Sequence, residues 1–182
     1  MNTFKIRIPE KAPDHVFGIA TPHHMLLKLY WEIENLEMAL AGEGHAVNPI
    51  AFHLYNCAVT AWHCADWAWQ YGDQHCHTHL AEMMDCSVDK RAFFDAVCKR
   101  SDEINACRKI ANGSKHRELD RPAPNVKAGI NWYYGPDKIR MRPYAFINKT
   151  TSIDAVSLFV KAAEFWEGLF SGVGYIEGRF VE

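Results

Sequence analysis

The run NPIAFHLYNCAVTAWHCADWAWQY (residues 48–71) is apolar on nearly every side and contains no Lys, Arg or Glu. Asn48 is a natural N-cap and Pro49 suits the first helical turn, so the run predicts a helix over about 49–71. A helix apolar almost all round is a buried one, so this should be the central helix of the fold. Stepping along it at about 100° per residue separates two faces. Leu54, Ala58, Ala61, Trp62, Ala65 and Trp69 make a continuous apolar side. His53, Asn56, Thr60, His63 and Trp67 fall on one stripe, with Asp66 three residues beyond His63. The stripe lacks the long charged side chains of a solvated face. Its polar atoms either hydrogen-bond to neighbouring helices or line a pocket wall. On the pocket reading, His63 with Asp66 is an imidazole oriented by a carboxylate, and Asn56 and Trp67 complete a binding surface.

Working outward, the remaining elements are mostly helical. Thr21 as N-cap, Pro22 at the first position and Gly42 as the stop predict a helix over Pro22–Ala41, with Met25, Leu29, Leu36 and Leu40 as its apolar stripe. The segment GDQHCHTHLAEMMDCSVD reads as a His/Cys-rich loop. Helices follow over Lys90–Arg100 and about 102–115, the second capped by Ser101 with acids in its first turn. VKAGINWYY and IRMRPYAFIN read as a hairpin joined through GPDK, and FKIRIP near the start reads as a short strand. The last helix starts near TTSID, where Thr151 and Asp154 form a capping-box-like pair, and Val156, Phe159, Ala163, Trp166 and Phe170 share one face. The expected fold is mainly α: a bundle of about five helices, a β-hairpin inserted before the last, and a short N-terminal strand. No linker or repeat divides residues 1–182, so a single domain is expected.

At the end of the 102–115 helix, Arg108, Asn112, Lys115 and His116 are spaced so that a continuing helix carries all four on one side. Helix capping accounts for Lys115 and Gly113, because cations and a left-handed Gly favour a C-terminus. Arg108 lies two turns upstream, where capping has no use for it. Arg is a bidentate partner for phosphate, His moves a proton near neutrality, and Asn orients either. An Arg and a His on one helical face suit phosphodiester cleavage without a metal, in which a 2′-hydroxyl loses a proton while charge builds on phosphorus.

An Arg followed by a His near the end of a helix in a small bundle resembles the HEPN superfamily, here with seven residues between Arg108 and His116. Many HEPN proteins are metal-independent ribonucleases acting as toxins or antiviral effectors. The resemblance implies Arg108 and His116 as catalytic residues, Asn112 and Lys115 in support, RNA or a nucleotide as ligand, and a homodimer with the cleft across two protomers. NCAVTAWHCADWAW, CRKIANGSKH and AEFWEGLF also resemble a group of short bacterial and phage-associated proteins of uncharacterised activity, over residues 48–170. That likeness implies that His63, Asp66, Trp67, Arg108, Asn112, Lys115 and His116 belong to one region.

His75, His77 and His79 alternate in HCHTHL, and in an extended segment they would point the same way as three nitrogen ligands. No second Cys/His pair has matching spacing, so no metal or other cofactor is expected. The six cysteines form no CxxC pair, and Cys57, Cys64, Cys98 and Cys107 sit in apolar helical patterns, as buried free thiols do. A net charge of -2 gives no footprint for generic nucleic-acid binding, so any RNA contact must be a local patch. No membrane span or signal-peptide core is present, and a cytoplasmic protein is expected. P-loop, dinucleotide-binding and HExxH motifs are absent. Three readings remain: a HEPN-like ribonuclease, a non-catalytic binding module of the same fold, and a metal-dependent hydrolase built on His63, Asp66 and the His75–His79 segment.

Overall fold

The computed structural model describes residues 19–42, 47–113, 128–134, 139–146 and 151–176. Six helices and a small sheet are present among them. The helices are α1 (Pro22–Ala41), α2 (Val47–Tyr71), α3 (Gln74–Met84), α4 (Lys90–Arg100), α5 (Asp102–Gly113) and α6 (Ala155–Val173). The strands are β1 (Ala128–Tyr134), β2 (Ile139–Phe146) and β3 (Ser152–Asp154). The fold is mainly helical with strands before the last helix, as the sequence predicts. The expected strand over FKIRIP and the GPDK turn lie outside the described residues.

α1 begins and ends at its predicted residues. Thr21 Oγ1 accepts from His24 N at 3.2 Å, and the Gly42 N–H closes back on the Met38 carbonyl at 3.1 Å. α2 starts two residues earlier than predicted, so Asn48 lies inside the helix and not at its cap. Pro49 still falls in the first turn, where its missing N–H would have had no helical acceptor. α2 is the central helix, packed against α1, α4, α5 and α6. One hydrophobic cluster draws on every helix, with Leu29, Leu36, Ala61, Phe93, Ile104 and Trp166 all wholly buried.

The segment read as a loop is the helix α3. Asp73 caps it, its carboxylate accepting from Cys76 N at 2.9 Å, and Asp85 ends it in the left-handed conformation at φ 52°. Its buried side is narrow, limited to Leu80, Ala81 and Met84, so apolar periodicity is faint there. The backbone N–H of Cys76 holds the Asp73 carboxyl below the usual carboxylate range. That cap is therefore fully present above the unfolded-state value and is lost as pH falls through the lower folded-state value. Amide exchange at His75 and Cys76 should accordingly speed up in acid before the rest of the molecule opens. Unchanged protection there down to global acid unfolding would contradict this.

β1 and β2 form the expected antiparallel hairpin, with Ile130 opposite Pro143 and Gly129 opposite Tyr144. β3 adds to β2 through Tyr144–Asp154, Ala145–Ile153 and Phe146–Ser152, making the order β1-β2-β3. Pro143 lies just beyond the stretch that β3 covers, so β2 is an edge there and tolerates a residue with no N–H. The third strand runs up to the start of α6 and shares Asp154 with its cap. Asp154 is the N-cap, accepting from Ser157 N at 3.1 Å. Asp154→Ala should cost about 1 kcal/mol in denaturant melts, the usual worth of an N-cap.

Candidate functional site

Two residues of the polar stripe of α2, His53 and Thr60, meet α1. Thr60 is buried and its Oγ1 accepts from Lys28 Nζ at 2.7 Å. The same Lys28 Nζ lies 3.0 Å from Glu32 Oε1, one helical turn along α1. Glu32 is only 4% exposed, a carboxylate set among core side chains. Its second oxygen, Oε2, faces His53 Nδ1 of α2 at 3.6 Å. Lys28, Glu32, His53 and Thr60 thus form one polar knot between the first two helices. The hydrogen-bonded alternative for this stripe is realised at Thr60.

Three cysteines lie beneath the knot. Cys57 and Cys64 of α2 and Cys107 of α5 are wholly buried free thiols. Burial pushes the Cys57 thiol up to about 12, and the Glu32 carboxylate adds to the push against the opposing charge of Lys28. Burial raises Cys64 and Cys107 as well. Neutral, enclosed thiols are poor nucleophiles, so these cysteines act as small core residues.

The other proposed binding residues are spread along α2. Asn56 is exposed, and His63 and Trp67 are half-buried. Asp66 Oδ1 takes Lys90 Nζ from the start of α4 at 2.9 Å, and that ammonium also lies 5.2 Å from the Phe94 ring centre. The carboxylate nominated to orient His63 is thus engaged in tying α2 to α4. An acid–histidine approach between helices is found at Glu32 and His53. Glu32 was missed by sequence reasoning. Its signal was position: it follows Leu29 by three and precedes Leu36 by four, inside the apolar stripe of α1.

On α5, Ser101 is the predicted cap, accepting from Ile104 N at 3.1 Å. Ile104, Cys107 and Ala111 face the core, and Arg108 flanks that stripe half-buried. Its Nη2 donates to Asn105 Oδ1 at 3.0 Å, while its Nε is buried without an acceptor. The guanidinium also reaches α4 electrostatically, where it opposes the upward push of burial on Cys98. Asn112 is exposed one turn further on, and the described helix ends at Gly113. Lys115 and His116 lie outside the described residues.

One of the three clustered histidines, His77, has a structural use. In a helix, alternate residues cannot share a face. His77 turns back onto α2, its ring stacked on Trp69 with centres 4.2 Å apart, and its Nε2 lies 2.7 Å from the Trp69 carbonyl. Tyr175 donates to the Ala68 carbonyl at 3.0 Å, so two carbonyls from the last turn of α2 are met by side chains from elsewhere. Among the described residues no group of three or more His, Cys, Asp or Glu is placed to hold a metal ion. Nor is any described helix long and apolar enough to cross a membrane. No family model, curated protein or solved structure matches this chain.

Proposed function

We propose that this chain is a HEPN-like, metal-independent endoribonuclease, with Arg108 as the phosphate-binding group and His116 as the proton carrier. The observation that supports this is the state of Arg108. One arm of its fork is fixed by Asn105, and its buried Nε has no acceptor, so an oriented guanidinium keeps an unspent N–H donor. A phosphate supplies one, because guanidinium and phosphate pair through parallel N–H donors. In the reaction the 2′-oxygen attacks the adjacent phosphorus as its proton leaves to a base. The P–O5′ bond breaks, the 5′-oxygen takes up a proton, and a cyclic phosphate remains. Arg108 offsets the charge that builds on the phosphoryl oxygens, while Asn112 and Lys115 hold the strand. A homodimer cleft and a toxin or antiviral role belong to this reading through the family resemblance, and a cytoplasmic site of action through the sequence's lack of a signal-peptide core.

The test is cleavage of single-stranded RNA in EDTA by wild type and by His116→Ala. Wild-type cleavage that falls about 10²–10⁴-fold in the variant is expected for a positioned acid–base group. Full activity in the variant, or none in the wild type, would sink the proposal. A non-catalytic binding module is the second reading. It is favoured by an open, largely apolar groove of about 290 Å³ walled by Leu54, Ile110, Ile130, Tyr144 and Phe159. Nucleotide binding without any cleavage would select it.

A further inference from the structure

Glu32 holds the strongest unexplained chemistry outside α5. Its carboxylate is 4% exposed, and Lys28 satisfies only Oε1. Oε2 is buried with no donor, and 3.6 Å away His53 Nδ1 is also buried with no partner. Leaving two such atoms bare in the interior costs more than pairing them, so the stable arrangement is an Nδ1–H directed at Oε2. A neutral imidazole protonated on Nδ1 carries its lone pair on Nε2. The His53 side chain is 28% exposed although Nδ1 is buried, so the exposure belongs to the rest of the side chain, which includes Nε2. Lys28 spends two of its three N–H donors on Glu32 and Thr60, and its side chain is 34% exposed. Among the described residues the knot thus keeps one acceptor on His53 and one donor on Lys28, both on partly exposed side chains. Its lysine and carboxylate charges cancel, so nothing in it selects an ion.

We propose that Glu32 and His53 form a carboxylate–imidazole dyad that, with Lys28, makes a binding site for a neutral hydroxyl-bearing ligand of the sugar-diol type. One ligand hydroxyl donates to His53 Nε2, and a neighbouring oxygen accepts from Lys28 Nζ. Glu32 is the positioning residue: it fixes the tautomer and thereby turns Nε2 into an acceptor. The site is independent of the ribonuclease reading, which rests on α5.

Long-range ¹H–¹⁵N NMR of the histidine rings in the full chain tests the dyad directly, at a pH where His53 is neutral. The expected result is a proton on Nδ1 and a bare Nε2. Glu32→Gln, whose amide can donate to Nδ1, should move the proton to Nε2. D-ribose is the ligand probe, and a saturable shift at His53 Nε2 should weaken about tenfold in Glu32→Gln, as expected for losing an oriented hydrogen bond. An Nε2–H tautomer in wild type overturns the proposal even if the variant fails to fold. So does ribose that leaves His53 unmoved, or that shifts it equally in wild type and Glu32→Gln.

Discussion

Trp166→Ala should destabilise this protein by about 3–5 kcal/mol, the range for truncating a buried Trp. Trp166 is wholly buried on α6, where its ring lies against Phe165 and Phe170 with centres 5.2 and 5.5 Å away. Its Nε1–H donates to the Ala61 carbonyl in the middle of α2 at 2.8 Å. Truncation opens a cavity at the junction of the last helix and the central one. For a chain of this size the midpoint of thermal unfolding should fall by roughly 6–20 °C. Trp166→Phe separates the two contributions, since it keeps most of the ring and deletes the donor. Its cost should be only about 1–2 kcal/mol, because the Ala61 carbonyl also belongs to the ladder of α2. Equal losses in both variants would show that the hydrogen bond, and not packing, dominates.

On the ribonuclease reading, Arg108→Ala should lower kcat for RNA cleavage about 10²–10³-fold with little change in KM, as for deleting a donor that acts on the developing charge. Arg108→Lys keeps the charge but loses the planar fork that Asn105 holds, so it should recover only part of that loss. Lys109→Ala removes a neighbouring charge on the same helix and serves as the control, with activity close to wild type. The thermal midpoint should move little in Arg108→Ala, because the native bond lost among the described residues is one contact to Asn105 within the same helix. A large drop in stability with unchanged kcat per folded molecule would make Arg108 a packing residue instead.

Much of the fold was legible because local chemistry announces it. Thr21 with Pro22, Ser101 with its acids, and the spacing of Phe159, Ala163, Trp166 and Phe170 each act within a few residues, and the elements they specify are present. α3 was obscured because histidines at alternate positions imitate the period of a strand, while its apolar side is only three residues wide. β3 was hidden because Asp154 serves two elements, ending the strand and starting α6. The polar stripe of α2 was visible, but its partners were not. A buried glutamate on one helix and a histidine on the next meet only through tertiary packing, which no periodicity encodes. At α5 the chemistry of Arg108 could be read from its spacing, whereas its grip by Asn105 is a matter of side-chain geometry.

The three wholly buried thiols give the molecule a chemical clock. Cys57, Cys64 and Cys107 are protected from alkylating reagents both by enclosure and by protonation, so each can be labelled only when the helix packing around α2 and α5 opens. Rates of modification at the three sites therefore report how often the centre of the bundle breathes, residue by residue, without any engineered probe. The same arrangement makes unfolding hard to reverse in air. Chains that open expose several thiols at once, and crosslinks formed then would block the repacking of the very helices that hid them.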